Sequence, residues 1–333
     1  MKRRVFDLFA SSLVLEIHKH GLEKGLLTLI GELETGESER KEHFCSIALR
    51  QALALSPPEN RDIFYSGDID QQGFFEFARE GNAWSLTSPG LVYARFPLSR
   101  PGGEITVTPD CPPEVTGLAG AYGLDHAVGI GGQCMVHAAS LDTPDGSARI
   151  IIHAPSGTGK TTTALALAKA GYRLCSDDAT VIGPAPDGGV LVWGLPRDLK
   201  VHRLTAGMLA WLQPIIDENA WNNEDEQMLD RITMRKLDLL ADLQPKPVIA
   251  VIALQRAGDG NTSFSQLEKY DGLIAMMQDN INFGPAGFFP GHENRLDLYS
   301  AMLSKALPFE LQASGNPESA VDAIGAMVKS CRS

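Results

Sequence analysis

The sequence predicts an α/β core preceded by an α+β accessory region, and three observations carry that reading. An apolar run (Ile150–Ile152) enters a glycine-rich turn (Ala154–Thr161), and a helix-forming run (Thr163–Ala170) follows at once. From there to the last residues strand-like and helix-like segments alternate, the pattern of an α/β core. The first hundred or so residues lack that alternation. Their short β-type segments, Gly73–Ala78, Ala83–Thr87 and Leu91–Leu98, are separated by Gly81-Asn82, Ser88-Pro89-Gly90 and Arg100-Pro101-Gly102-Gly103. Such residues form turns. Pro109–Pro113 marks a boundary, giving an accessory region over 1–110 and a core domain over 111–333.

In chain order, Phe6–Ile30 has helix-like apolar spacing, although Leu13–Ile17 also reads as a strand. Glu32–His43 is polar. Glu114–Leu124 reads as a short helix leading into the core, and Met135–Asp142 as a strand carrying His137. Beyond Ala170 a strand ends in paired aspartates, Asp177 and Asp178. Pro184–Gly189 is the turn of a hairpin joining Ala179–Ile182 to Val190–Trp193. Leu204–Ile216 has helical Leu/Met/Trp spacing. Asn219–Asp230, rich in acids and amides, reads as a solvated turn, with a mobile lid as the alternative. Val248–Leu254 is a buried strand, Ser265–Asn280 a helix and Phe283–Gly291 a loop. Arg295–Ala306 is helical, Phe309–Gln312 a last strand and Glu318–Lys329 a closing helix.

The turn after Ile152 carries chemistry. A-P-S-G-T-G-K-T follows the phosphate-loop pattern G-x-x-x-x-G-K-[ST], with Ala154 in place of the first glycine. Strand before, helix after and an acidic strand end beyond are the context that such a loop requires. Gly157 and Gly159 let successive N–H groups turn toward a polyphosphate, which then sits on the positive end of the next helix. The binding segment is Pro155, Ser156, Gly157, Thr158, Gly159, Lys160, Thr161 and Thr162. Lys160 would neutralise β/γ phosphates of ATP, and the Thr161 hydroxyl would ligate Mg²⁺. Two adjacent carboxylates at a nearby strand end face different ways, so one can meet the metal while the other orients a nucleophile.

The ordered set M-V-H-A-A-S-L-D (Met135–Asp142), S-G-T-G-K-T and G-Y-R-L-C-S-D-D resembles the HPr kinase/phosphorylase family. The closer likeness is to the HPr-kinase-like serine kinases, which share the fold of the ATP-dependent phosphoenolpyruvate carboxykinases. It is tight over about residues 135–182 and looser to 325. The resemblance implies ATP on Lys160 and the glycine loop, Mg²⁺ on Thr161 with Asp177 beside it, and Asp178 as the base accepting a hydroxyl proton. It puts His137 near the site of transfer, and P-R-D-L-K offers Arg197 and Lys200 to hold substrate or the moving phosphate, since cations are needed where charge develops. The chain departs from HPr kinases proper. Val192–Lys200 stands where they carry E-x-R-G-x-G, and Lys246–Leu254 where they carry a P-G-R-N-type turn. The expectation is a kinase for a serine-type hydroxyl of a protein or peptide, such as a lasso-peptide precursor, with no phosphate-driven reverse reaction. HPr itself, and a nucleotide-gated ATPase or switch, are the alternatives. For a phosphoenolpyruvate carboxykinase the chain is too short and lacks a recognisable oxaloacetate-binding arginine set.

The 333 residues are 44% hydrophobic and 21% charged, as in an ordinary globular protein. A net charge of −12, with no basic run, argues against a nucleic-acid partner. Behind Met1-Lys2-Arg3-Arg4 the apolar stretch is broken by Asp7, Ser11, Ser12 and Glu16, so neither a signal peptide nor a membrane partner is expected. Five scattered cysteines without C-x-x-C point to a reducing cytoplasm rather than a disulfide or metal framework. Homo-oligomerisation is left open.

Overall fold

The computed structural model describes residues 1–69, 73–217, 219–258, 260–280, 283–284, 287–288 and 293–332. They form two compact units: Met1–Cys134 with Asn282–Arg295, and Met135–Ile281 with Leu296–Ser333.

The first unit is built on β1 (Lys2–Asp7), β2 (Ser12–Ile17), α1 (Lys24–Ile30), β3 (Glu34–Thr35), β4 (Phe44–Gln51), β5 (Asp62–Asp68), β6 (Phe74–Arg79), β7 (Ala83–Ser88), β8 (Val92–Pro97), β9 (Gly103–Val107) and α2 (Pro113–Ile130). Its nine strands form one sheet in the order β3-β1-β2-β4-β9-β8-β7-β6-β5. The helix-like spacing of Phe6–Ile30 gives way here to a hairpin and a short helix. Phe6, Leu8, Leu13, Val14, Leu15 and Ile17 are all buried, and continuous burial on both faces suits a strand better than a one-sided helix. The first strand of the hairpin pairs with the second antiparallel, and that one runs parallel to β4. The helix α2 is longer than Glu114–Leu124 because its glycines are contact points rather than breaks. A methyl group on Gly120 would lie 1.9 Å from Leu26 Cδ1 of α1.

The second unit contains β10 (Cys134–Val136), β11 (Ala138–Asp142), β12 (Arg149–His153), α3 (Lys160–Lys169), β13 (Arg173–Ser176), β14 (Thr180–Pro184), β15 (Val190–Gly194), β16 (Leu199–His202), α4 (Arg203–Met208), β17 (Glu226–Leu229), α5 (Arg231–Lys236), β18 (Lys246–Arg256), β19 (Ser263–Gln266) and α6 (Lys269–Asn280). The short pair β20 (Phe283–Gly284) and β21 (Gly287–Phe288) falls in the returning segment of the first unit, and α7 (Glu293–Lys305), β22 (Leu307–Ala313) and α8 (Pro317–Ser330) follow in chain order. Of the Phe283–Gly291 loop, residues 285–286 and 289–291 lie outside the described residues.

The eleven residues of β18 form the spine of the second sheet, whose order is β10-β14-β15-β18-β12-β11-β13, with β22 also on β18 and β19 on β22. Beyond its first residues β18 runs parallel to β12 and β22. The strand β11 is antiparallel to both β12 and β13. The carboxyl ends of β12, β13, β18 and β22 therefore reach the same edge, where open α/β sheets bind ligands. The helices α3 and α8 pack on this sheet through one apolar cluster. Leu165 and Leu167 of α3 and Ile324 and Met327 of α8 are fully buried in it with Ile150, Ile152 and Ile252. Each such side chain contributes about 1.5–3 kcal/mol relative to exposure.

Three expected elements are divided. The Leu204–Ile216 helix breaks at Leu209 (φ −110°, ψ 82°) and continues as a 3₁₀ segment, Ala210–Ile215, that contains Pro214. Ser265 and Gln266 belong to an edge strand, and the helix starts only at Lys269. The Met135–Asp142 run divides in two, and His137 sits at the break.

Candidate functional site

The site grows out of the β12–α3 connection. Pro155–Thr158 closes a turn, with Thr158 N–H donating to the Pro155 carbonyl at 3.3 Å. Gly157 (φ +75°) occupies its left-handed position, and Gly159 (φ +113°) caps α3 in the same region. An L side chain there would be strained, and no heavy atom lies within 4 Å of where a Cβ would stand. The loop therefore has two glycine-only positions whose front is open to a ligand. Pro155, Ser156 and Gly157 are exposed, Thr158, Gly159, Thr161 and Thr162 half-buried, and Lys160 buried. The Thr162 hydroxyl meets that of Thr205 at 2.8 Å.

The acidic pair is delivered by β13. Gly171 (φ +101°) ends α3, and Tyr172 N–H reaches back to the Leu167 carbonyl at 3.1 Å, turning the chain into the strand. Beyond it the Ser176 hydroxyl accepts the Ala179 N–H at 3.1 Å, closing the turn that holds Asp177 and Asp178. Leu195 N–H donates to the Ala179 carbonyl at 3.0 Å and brings Arg197 alongside. That approach depends on Gly194, where a methyl group would lie 2.5 Å from Ser176 Cβ and 2.7 Å from the Cys175 carbonyl oxygen. Gly194→Ala is expected to lower stability by about 1–3 kcal/mol through overpacking. Urea unfolding measures it, and an unchanged midpoint would refute the close approach.

These elements bring six of the expected residues together. Asp178 Oδ1 lies 2.5 Å from Lys160 Nζ and 2.7 Å from His137 Nε2, while Oδ2 is 3.6 Å from an Arg197 nitrogen. Burial favours the neutral form of Asp178, but His137 and the Lys160 ammonium outweigh it and hold the carboxyl well below the usual range. Asp177 is the opposite case. Its Oδ2 accepts the Thr161 hydroxyl at 3.1 Å, while Oδ1 is fully buried without a hydrogen-bond partner, although the residue as a whole is half-buried. Burial and the Asp178 charge raise its pKa to about 6, against Lys160, the Thr161 hydroxyl and Arg197. Lys200 is placed elsewhere, 3.0 Å from Glu226 across the antiparallel pair β16–β17. The acidic Asn219–Asp230 stretch thus supplies one strand of that pair.

The buried, unsatisfied oxygen of Asp177 beside the Thr161 hydroxyl fits a divalent cation. Among the described residues no group of three or more His, Cys, Asp or Glu could hold a metal. Mg²⁺ here would take its remaining ligands from phosphate and water, as it ordinarily does.

The raised Asp177 pKa has a stability consequence. Folding lifts it from 3.8 to about 6, so the native state holds this proton more tightly than the unfolded chain. The stabilisation is complete below the unfolded value and lost as pH rises through about 6. Asp177→Asn should therefore raise the melting temperature of metal-free protein near pH 8 and leave it little changed near pH 4. Equal effects at both pH values would show an ordinary, solvated carboxylate.

Some site residues carry no sequence motif. Arg256, the last residue of β18, donates to the Gly157 carbonyl from the flank opposite the aspartates. His153, the last residue of β12, lies 2.6 Å from Asp279, and Asn280 accepts the His137 backbone N–H at 2.7 Å. For Arg256 the legible signal was a cation at the second position after the apolar run Val248–Leu254. For Asp279 and Asn280, on a helix more than a hundred residues away, there was none.

No family model matches the chain, and no curated protein matches it. Among solved structures, the Hpr(Ser) kinase/phosphatase from Coxiella burnetii is similar over 60% of this chain and 99% of that one, at 12% identity and a TM-score of 0.31. That likeness is distant and decides nothing about the chemistry. Among the described residues no helix is long and apolar enough to cross a membrane.

Proposed function

We propose that the protein is an ATP- and Mg²⁺-dependent phosphotransferase acting on a serine-type hydroxyl of a protein or peptide. The observation that supports it is the convergence of a two-glycine phosphate loop, Lys160, Thr161 and the Asp177–Asp178 pair at one sheet edge. Phosphoryl transfer is mainly a matter of positioning and charge stabilisation, so a loop, a lysine, a metal and a base suffice. The Gly157–Thr161 segment would bind the polyphosphate, with Thr161 and Asp177 facing the metal. Mg²⁺ would supply neutralisation of the phosphate charge as it develops. Asp178 would accept the hydroxyl proton, and Arg197 and His137, already against its carboxylate, would line the path of transfer. While Lys160 and His137 hold it, Asp178 is too strongly stabilised as a carboxylate to be an effective base. Its basicity would return when phosphate draws Lys160 away.

Lacking the P-G-R-N turn, the chain is expected to show no phosphate-driven reverse reaction. The second reading, an ATPase or nucleotide-gated switch, uses the same loop with Asp178 orienting water. ATP labelled in the γ-phosphate, incubated with candidate hydroxyl-bearing proteins and peptides, separates the two. Label on a serine supports the kinase, label only in inorganic phosphate supports the ATPase, and no release from ATP overturns both.

A further inference from the structure

We propose that the last turn of α6 is a positioning clamp for the candidate nucleotide site, Asp279 fixing the phosphate loop and Asn280 fixing His137. The inference rests on the nucleotide reading above and adds residues to it.

His153 interrupts an otherwise aliphatic strand, R-I-I-I-H, at the residue just before the loop opens at Ala154. Its side chain is 1% exposed, and Nδ1 lies 2.6 Å from Asp279 Oδ2, itself 13% exposed. A polar ring in that place is tolerated only with a partner, and the charged form of the partner is costly to bury unless it is well paired. An apolar pair of similar size would serve packing as well or better. What the imidazole–carboxylate pair adds is direction, because a hydrogen bond at this distance restricts the ring's orientation and hence the strand end that leads into the loop.

The next residue does a parallel job. Asn280 is 6% exposed, and its Oδ1 accepts the His137 backbone N–H at 2.7 Å. His137 lies between β10 and β11, where the strand is interrupted, so a side chain can take this N–H. The two held points are neighbours: Ala138, directly after His137, pairs with His153 in the β11–β12 register. Two consecutive side chains of one helix therefore hold two adjacent strand ends just where each releases a site element. One carries the loop, and the other carries the imidazole that contacts Asp178. Misplacing reacting groups by about 1 Å can cost about 10²-fold, so such a clamp has functional weight without touching ligand.

The clamp makes the two residues separable. Asp279→Ala should weaken ATP binding, measured by calorimetry, by about tenfold to a hundredfold, and Asp279→Asn, which keeps an acceptor, should restore most of it. If Asp279→Ala does not fold, the apolar pair His153→Val with Asp279→Leu replaces it and should weaken ATP binding to a similar degree. Asn280→Ala should leave ATP affinity near wild type and slow turnover, read as phosphate released from ATP with water as acceptor. In a His137→Ala background that slowing should disappear, because both changes act through one group. The clamp is overturned if Asp279→Ala, or the His153→Val with Asp279→Leu pair, binds ATP as wild type does, well below its melting temperature. It is equally overturned if the Asn280→Ala loss persists in full without His137. Wild type and Lys160→Ala are measured alongside. Missing Lys160-dependent ATP binding would overturn the nucleotide site itself, whereas a normal Lys160 effect beside inert clamp variants overturns the clamp alone.

Discussion

Lys160→Ala is expected to abolish phosphoryl transfer and to weaken ATP binding by about one to two powers of ten. The ammonium is buried, stands at the first residue of α3 and faces the open loop formed by Gly157 and Gly159. Hydrogen bonds to charged groups contribute about 1.5–3 kcal/mol, and each 1.4 kcal/mol is a tenfold change in affinity. The substitution also removes the nearest cation of Asp178, so the empty protein should lose some stability as well. Calorimetric titration with ATP in a variant of native circular dichroism measures the effect. Unchanged affinity would refute the assignment of the loop.

The second large effect separates the aspartates. Asp178→Asn should cut turnover by about 10²–10⁴, the usual contribution of a positioned acid or base, while Mg·ATP still binds. Asp177→Asn should instead raise the Mg²⁺ concentration needed for half-maximal activity, since it removes the carboxylate that meets Thr161. Their partners already differ: one carboxylate is surrounded by nitrogen donors, and the other has a hydroxyl and a buried oxygen without a hydrogen-bond partner. Turnover and Mg²⁺ titrations of both variants decide. Near-normal turnover in Asp178→Asn, with loss in Asp177→Asn at unchanged Mg²⁺ dependence, would reverse the roles.

Much of the second unit was legible because its signals are local. A glycine that must be left-handed, a lysine after it and acids at the next strand end are all written within about thirty residues. The hairpin around Pro184–Gly189 and the closing strand and helix were legible for the same reason. The first seventeen residues were harder, because a run buried on both faces has no periodicity to separate strand from helix. The glycines of α2 obscured its length, since only its neighbours, Leu26 at Gly120 and Ile47 and Phe96 at Gly123, show why two of them are there. At the site, Arg197 and His137 came from motif and were brought onto Asp178. Lys200 lies within β16, whereas Arg197 precedes that strand, and it reaches Glu226 on the paired strand instead of Asp178. Asp279 and Asn280 were invisible, as a contact closed over such a sequence distance leaves no local pattern.

The three nitrogen groups around Asp178 make ligand arrival an exchange rather than an addition. The positive charges of the site are matched to a carboxylate of the chain itself, so on the proposed reading a phosphate would compete for Lys160 against a partner at 2.5 Å. A lone phosphate offers little beyond what it displaces and leaves the Asp177 oxygen as it was. A polyphosphate carrying its own divalent ion offers more, because one end replaces the carboxylate while the cation settles the buried oxygen. On the proposed reading, the pairing of Lys160 with Asp178 would screen the site against small anions and favour a nucleotide that carries its own divalent ion.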